Sequence, residues 1–195
     1  MTDTTNKPTK LTVGSREFPV RLSYLKVFKA EEVENDEGEK SQKYSCQCIV
    51  SKKDKATIAA IKRAEQAVID DYFKGKKPPN CKTPLRDGDE EWEEKGEHLK
   101  GHYFFNCSAK KKPDVVSTKK DPGTGKLVRL TETEIKSGDY GRVSVNLFGF
   151  TGKNKGIGVG LNNIQFLQEG DALGNSTTAD QDFGDFDDGE EGFGD

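Results

Sequence analysis

Long apolar runs are missing from this sequence, and several residue types are scarce. Only 31% of its 195 residues are hydrophobic, with a single Met, a single Trp and two His. No segment approaches the roughly 20 apolar residues of a transmembrane helix, and the polar residues 1–10 lack the apolar stretch of a secretory signal. We therefore expect an intracellular protein without membrane association, whose cysteines Cys46, Cys48, Cys81 and Cys107 are free thiols.

The sequence also lacks the short motifs of several catalytic and metal-binding classes. The GTGK segment at Gly123 lacks the preceding glycine and the following Ser or Thr of a phosphate-binding loop, so we interpret it as a hairpin turn. A candidate zinc site would consist of Cys81, His98, His102 and Cys107. His98 and His102 have the His-x3-His spacing of zinc ligands, but the set lacks a Cys-x2-Cys pair. Because no Ser, His and Asp set has supporting context either, we predict no metal, no cofactor and no catalysis.

Basic residues are absent from the last 25 residues. Residues 171–195 contain nine acidic side chains, while the other 25 acidic and all 31 basic residues lie in residues 1–170. The body therefore carries a formal charge of +6 and the end of the chain −9. This asymmetry favours a polyanionic partner whose access is regulated.

The acidic end is predicted to be a disordered tail, residues 171–195, after one folded domain, residues 1–170. It is rich in Gly, Asp, Ser and Thr and has no apolar periodicity, so it cannot bury enough surface to order itself. Its aromatic and acidic residues imitate the bases and phosphates of a single-stranded nucleic acid. We therefore expect the tail to compete with such a nucleic acid for a basic binding groove on the body, and to recruit partner proteins. The residues concerned are Phe183, Phe186, Phe193, Asp187 and Asp188.

Apolar periodicity predicts a mainly β fold with one helix. Alternating patterns mark strands at 18–28, 43–50, 101–112, 115–116 with 128–130, 141–150 and 157–161. A helix is predicted over about 54–75, with Asp54 as N-cap and Gly75 as stop. The polar stretches EEVENDEGEK and DGDEEWEEKGE are predicted to be loops. Short, glycine-marked strands around one helix favour an OB-type β-barrel, closed or partly open.

Aromatic and basic side chains alternate on the outward sides of two predicted strands. If Val143, Val145 and Leu147 face the core, then Phe148 and Phe150 face solvent with Arg142. Unpaired bases stack on such rings while Lys and Arg meet phosphates, although the rings could instead pack beneath the helix. The candidate DNA contacts are Arg21, Tyr24, Lys26, Lys43, Phe104, Lys110, Lys111, Lys112, Arg142, Phe148, Phe150, Lys153 and Lys155.

Three glycines alternate along the last strand. Gly156, Gly158 and Gly160 occupy its outward positions. They would either let a backbone or base approach closely or ease the curvature of a barrel. The sequence does not decide between these interpretations.

Several segments resemble a family of bacteriophage single-stranded DNA-binding proteins. They are collinear from about residue 21 to residue 165 and include RLSYLKVF, KYSCQCIV, TPLRDGDE, GHYFFNCSAKKKPDVV and YGRVSVNLFGFTGKNKGIGVGLNNIQ. The resemblance implies an OB-type barrel and a non-catalytic role in phage DNA replication, recombination or repair, in the cytoplasm of the infected bacterial host. It also makes Arg142, Phe148, Phe150 and the run 110–112 natural candidates for DNA contact.

Two other classes of function stay open on the sequence. Asp87 and Asp89 lie in an acidic cluster that could bind a metal ion in a nuclease. A protein-interaction adaptor without DNA binding is the other alternative. The sequence also leaves open whether the protein is a monomer or a dimer.

Overall fold

The computed structural model describes residues 9–35 and 37–173, and all of its strands belong to one sheet. The strands are β1 Lys10–Val13, β2 Val20–Glu34, β3 Lys40–Ser51, β4 Arg86–Asp87, β5 His102–Ala109, β6 Asp114–Lys120, β7 Leu127–Arg129, β8 Tyr140–Thr151 and β9 Lys155–Gln168. There are two α-helices, α1 Lys55–Asp71 and α2 Gly88–Lys95, and a 3₁₀ turn, Glu97–Leu99, follows α2.

Five of the strands pair in the order β2, β3, β5, β9, β8 and back to β2. Most pairs are antiparallel, and β8 and β9 form a long hairpin. The ring closes through two short contacts. One is a single parallel residue pair between β5 and β9, Ser108 with Gly160, and the other consists of two paired positions between β2 and β8. The predicted mainly β, OB-type fold is confirmed, as a partly open barrel.

The core lies inside this curved sheet, where alternate residues of each strand point inward. Val143, Val145 and Leu147 of β8 are buried, as the alternation predicts. Cys48 and Cys107 meet there with 3.9 Å between their sulfur atoms, and all four cysteines are free. Side chains at the intervening positions therefore lie on the outside of the sheet.

Helix α1 covers part of the inner side of the barrel. The Asp54 carboxylate accepts a hydrogen bond from the Thr57 amide at 3.0 Å, which confirms Asp54 as the N-cap. Ile58, Ile61 and Val68 are buried. The helix ends at Asp71 rather than at 75, because the chain unwinds before Gly75.

The prediction of a single helix is wrong, since the stretch DGDEEWEEKGE contains α2 and the 3₁₀ turn. Asp87 caps α2 by accepting a hydrogen bond from the Asp89 amide. Arg86 pairs with Glu91 across the first turn. The acidic first turn suits the positive end of a helix, so a polar sequence here indicates an exposed helix and not a loop.

The predicted loop at EEVENDEGEK is also shorter than expected. Strand β2 continues to Glu34 and β3 begins at Lys40. The hairpin carries an ion pair of 2.8 Å between Lys40 and Glu32, and the Asn35 side chain accepts the Glu37 and Glu39 amides. Its polarity reflects exposure on both faces, which does not prevent pairing.

The last described residues are attached to the barrel. The Leu173 amide donates to the Ser137 carbonyl at 3.0 Å, and Arg21 donates to the Asp171 carbonyl at 2.9 Å. The predictions on Phe183, Phe186, Phe193, Asp187 and Asp188 lie outside the described residues, and the division into a domain and a tail stays a prediction. None of the helices in the described part of the chain is both long and apolar enough to span a membrane.

Candidate nucleic-acid interface

The outside of strands β3, β5, β9 and β8 forms a continuous surface of small polar residues. Residues opposite each other on neighbouring strands share a face, so the strand register shows which side chains lie together. Ser45 pairs with Ser108, Ser108 with Gly160, and Gly160 with Asn146. We call this surface the outer face; it also contains Gln47 and Asn106, whose amides are hydrogen-bonded at 3.2 Å.

Two aromatic rings lie on the outer face where β9 has glycines. Phe148 pairs with Gly158 and Phe150 with Gly156. A Cβ added at Gly158 would lie 2.6 Å from the Phe148 ring, and one at Gly156 would lie 2.9 Å from the Phe150 ring. The Phe148 ring therefore covers Gly158, whereas Gly156 is approached by the Lys82 carbonyl, 2.7 Å from such a Cβ, as well as by the Phe150 ring. Phe148 stays 46% exposed, as predicted, and Phe150 is half-buried.

A groove of about 480 Å³ borders the outer face on the β2 side, and we call it the polar groove. Tyr24 lines it and is 63% exposed. The pairing of β2 with β3 shifts register after Ser23, and Tyr24 has a φ of +45°. This left-handed conformation costs a bulky residue roughly 1–2 kcal/mol. Strain at an exposed aromatic residue without packing to offset it favours a functional role.

The polar groove is cationic. Its lining contains Lys26, Lys43, Arg86 and Lys95 against a single acidic residue, Glu31. Lys26 pairs with Glu31 at 2.7 Å, and Arg86 and Lys95 both pair with Glu91. Lys43 has no ion pair within the described residues. Positive charge beside an exposed ring is the combination that a stacked, phosphate-bearing strand requires.

His98 also lines this groove without adding to its charge. Burial lowers the pKa of its imidazole, and the positive charge of Arg21 and the nearby His102 lower it further. The ring is therefore neutral at pH 7.

Phe104 was expected to face solvent with these residues, and that prediction is wrong. The side chain points to the outside of β5 but is fully buried in a small cluster with Ile49 and Leu99, against Trp92. The Arg86 guanidinium lies 4.9 Å from its ring centroid. The residues of α2 and the 3₁₀ turn cover this end of the outer face, and strand alternation does not reveal what packs on a strand.

The other predicted contacts are distributed over the surface in separate groups. Tyr24, Lys26 and Lys43 meet in the polar groove. Lys153 and Lys155 are exposed in the β8–β9 hairpin beyond Phe150. Arg86, Lys95 and Gln47, which line the polar groove, were missed because their segments carry no aromatic–basic alternation.

The remaining basic candidates lie away from the polar groove. Arg21 is engaged structurally, donating to the Gly138 and Asp171 carbonyls. Arg142 is exposed farther along β8, beside Ser144. Lys110 is exposed after β5, and Lys111 and Lys112 line a separate cleft.

The acidic cluster of the nuclease alternative is part of a structural network. The Lys52 ammonium lies 2.5 Å from Asp87 and 2.7 Å from Asp89. These hydrogen bonds raise the pKa of Lys52, and Lys52 in turn lowers the pKa of Asp89. Asp89 also accepts the Gly101 amide at 2.7 Å. A metal ion would have to displace Lys52, so the geometry does not favour this alternative.

The four residues of the zinc alternative are not assembled into a site. Cys107 is buried in the core, and the His102 ring is hydrogen-bonded to the Lys100 carbonyl at 2.7 Å. Among residues 9–35 and 37–173, no three His, Cys, Asp or Glu side chains are placed to share a metal ion.

Comparison of the sequence with known families gives one match over nearly the whole chain. Residues 9–193 match the family described as the single-stranded DNA-binding protein of Enterobacter phage Enc34. The chain belongs to this family. Protein p50 of Acyrthosiphon pisum secondary endosymbiont phage 1 is 26% identical over 163 residues, covering 79% of this chain and 83% of p50.

Solved structures of two phage proteins share the fold. The single-stranded DNA-binding protein of bacteriophage Enc34, solved in complex with single-stranded DNA, superposes with a TM-score of 0.70 at 20% identity. The match covers 86% of this chain and 91% of that one. Bacteriophage T7 gp2.5, a single-stranded DNA-binding protein, gives 0.52 at 12% identity over 92% of this chain and 96% of its own. The family resemblance found in the sequence is confirmed.

Proposed function

We propose that this protein binds single-stranded DNA without sequence preference on its outer face and polar groove. The observation that carries the proposal is the pair of exposed rings, Tyr24 and Phe148, on a surface that is otherwise small, polar and rimmed by cations. Membership in a family of phage single-stranded DNA-binding proteins supports it.

The chemistry of the surface explains how any sequence is accepted. Each exposed ring stacks on the π-face of a base, which all bases possess, and contributes roughly 1–3 kcal/mol. Lys26, Lys43 and Lys95 attract phosphates irrespective of the base. The small side chains between the rings, Asn106 and Ser108, leave room for the strand to lie close to the sheet.

Family membership and the charge distribution support a proposal for the cellular role. We infer a non-enzymatic function in phage DNA replication, recombination or repair, in the cytoplasm of the infected bacterial host. The acidic end, with Phe183, Phe186 and Phe193, is proposed to compete with DNA for the polar groove and to recruit replication or recombination proteins when DNA displaces it.

Titration with fluorescent oligonucleotides of mixed and homopolymeric sequence tests the binding itself. We expect similar affinities for all sequences, and a log K that falls with log salt at a slope of about −3.5 if about five phosphates are contacted. A flat salt dependence, or strong preference for one sequence, would contradict the proposal. Cleavage of the same oligonucleotides in Mg²⁺ that is lost on Asp87→Ala would instead support the nuclease.

Deletion of residues 174–195 tests the competition. This truncation keeps the contacts of Asp171 and Leu173 with the barrel. It should tighten DNA binding at low salt, with the difference from the full chain shrinking as salt screens the tail. The matched control keeps every acidic residue and replaces Phe183, Phe186 and Phe193 by Ser. Unchanged affinity after the deletion would rule out the competition.

A further inference from the structure

A second and larger cleft lies at the carboxyl end of β5, away from α2. Its volume is about 740 Å³, and its lining includes Lys10, Phe28, Lys111, Lys112, Arg129 and Asn163. We call it the cationic cleft. The cationic cleft and the polar groove share no lining residue.

The cleft concentrates unneutralised positive charge. Lys10, Lys111 and Lys112 are exposed and form no ion pair within the described part of the chain. Arg129 pairs with Asp114 at 3.1 Å, but both side chains are exposed, and such pairs contribute little. Four cations facing one carboxylate within a single concave surface raise the local concentration of anions.

The floor of the cleft is apolar, which suits a nucleotide better than a small inorganic anion. Phe28 is half-buried there, with Leu130 and Leu161 beside it. The Lys112 ammonium lies 6.0 Å from the Phe28 ring centroid. A base in contact with this floor would place its phosphates near the surrounding cations.

The cationic cleft is continuous with the outer face. Lys10 of β1 is paired with Asn146, which belongs to the outer face. Ser108, Gly160 and Asn146 lie opposite each other on β5, β9 and β8, and the same row ends at Lys10 in the cleft. A DNA strand that follows this row across the outer face therefore reaches the cleft at Lys10.

We propose that the cationic cleft binds the next nucleotides of the same DNA strand, so that the binding site has two parts. This inference rests on the proposed function of the outer face. The outer face and polar groove hold the first part through stacking, and the cleft holds the second mainly through phosphates. Short oligonucleotides fill only the first part, whereas longer ones reach both.

The test compares a triple variant of the cleft, Lys111→Ala, Lys112→Ala and Arg129→Ala, with a control that loses the same charge on the exposed side of α1. The control is Lys55→Ala, Lys62→Ala and Arg63→Ala. Affinities for oligothymidylates from about 4 to about 16 nucleotides, the range of OB-fold sites, are measured over a salt series. Circular dichroism verifies that both variants are folded.

For the longest oligonucleotides, loss of three phosphate contacts should reduce the salt slope of the cleft variant by about 2. This corresponds to a loss of affinity of roughly 100-fold at 0.1 M salt. The shortest oligonucleotides should bind the cleft variant and the control alike. Equal loss in both variants at every length, or no loss in the cleft variant, would overturn the inference. If the wild-type protein binds no oligonucleotide at all, the proposed function itself fails.

Discussion

Replacing Tyr24 by Asn and Phe148 by Ala should each weaken single-stranded DNA binding by roughly 5- to 150-fold, the equivalent of one lost base stack. The double variant should lose about the product of the two factors, because the rings lie on different strands without mutual contact. Stability should change by less than about 1 kcal/mol, since both rings are exposed and Asn tolerates the left-handed backbone at position 24. Fluorescence anisotropy and thermal melts measure the two effects.

Tyr72 provides a matched control for this prediction. It is 47% exposed, but its ring lies against Gly149, on the side of β8 opposite Phe148. Tyr72→Ala should therefore leave DNA binding unchanged. Gly158→Ala, in contrast, should lift the Phe148 ring off the strand and reproduce part of the loss seen with Phe148→Ala. If Tyr72→Ala weakened binding as much as Phe148→Ala, the assignment of stacking to the outer face would be wrong.

Replacing Phe104 by Ala should lower the free energy of unfolding by about 3–5 kcal/mol, the usual cost of removing a buried phenyl ring. The ring fills the cluster formed with Ile49 and Leu99, and its loss leaves a cavity beneath α2. The Arg86 guanidinium would also lose the aromatic face on which it lies. Urea denaturation monitored by circular dichroism measures the change.

The control for Phe104→Ala is the same chemical change at Phe148. Because that side chain is largely exposed, its truncation should cost less than about 1 kcal/mol. DNA affinity should show the opposite order, nearly unchanged for folded Phe104→Ala and reduced for Phe148→Ala. A Phe104→Ala protein of wild-type stability with weakened DNA binding would contradict the burial and restore the original prediction.

Much of the architecture could be predicted from local patterns. The inward positions of β8, the N-cap at Asp54 and the hairpin pairing of β6 with β7 follow from alternation, capping and turn residues, which act over a few residues. The polar stretch around Trp92 was predicted wrongly because exposed helices and exposed loops have similar composition, and a cap at Asp87 with a Lys52 ion pair decides between them.

In the candidate site, the difference between what local sequence patterns predict and what the tertiary structure decides is larger. Tyr24, Phe148 and Lys43 could be identified as candidates from residue type and periodicity alone, whereas their arrangement could not. Whether an outward ring meets solvent depends on what the rest of the chain lays over it, which separates Phe148 from Phe104. The grouping of Lys10 with Arg129 in one cleft likewise depends on long-range pairing.

By itself, the sequence determined the kind of fold, the side of each strand on which residues lie, and the family, because these depend on local periodicity and on residue identity. Only the tertiary structure decided which outward residues are accessible and which cations share a groove. The reason is physical: exposure and electrostatic potential are set by groups that are close in space, and in this sheet those groups come from strands and helices far apart in the chain.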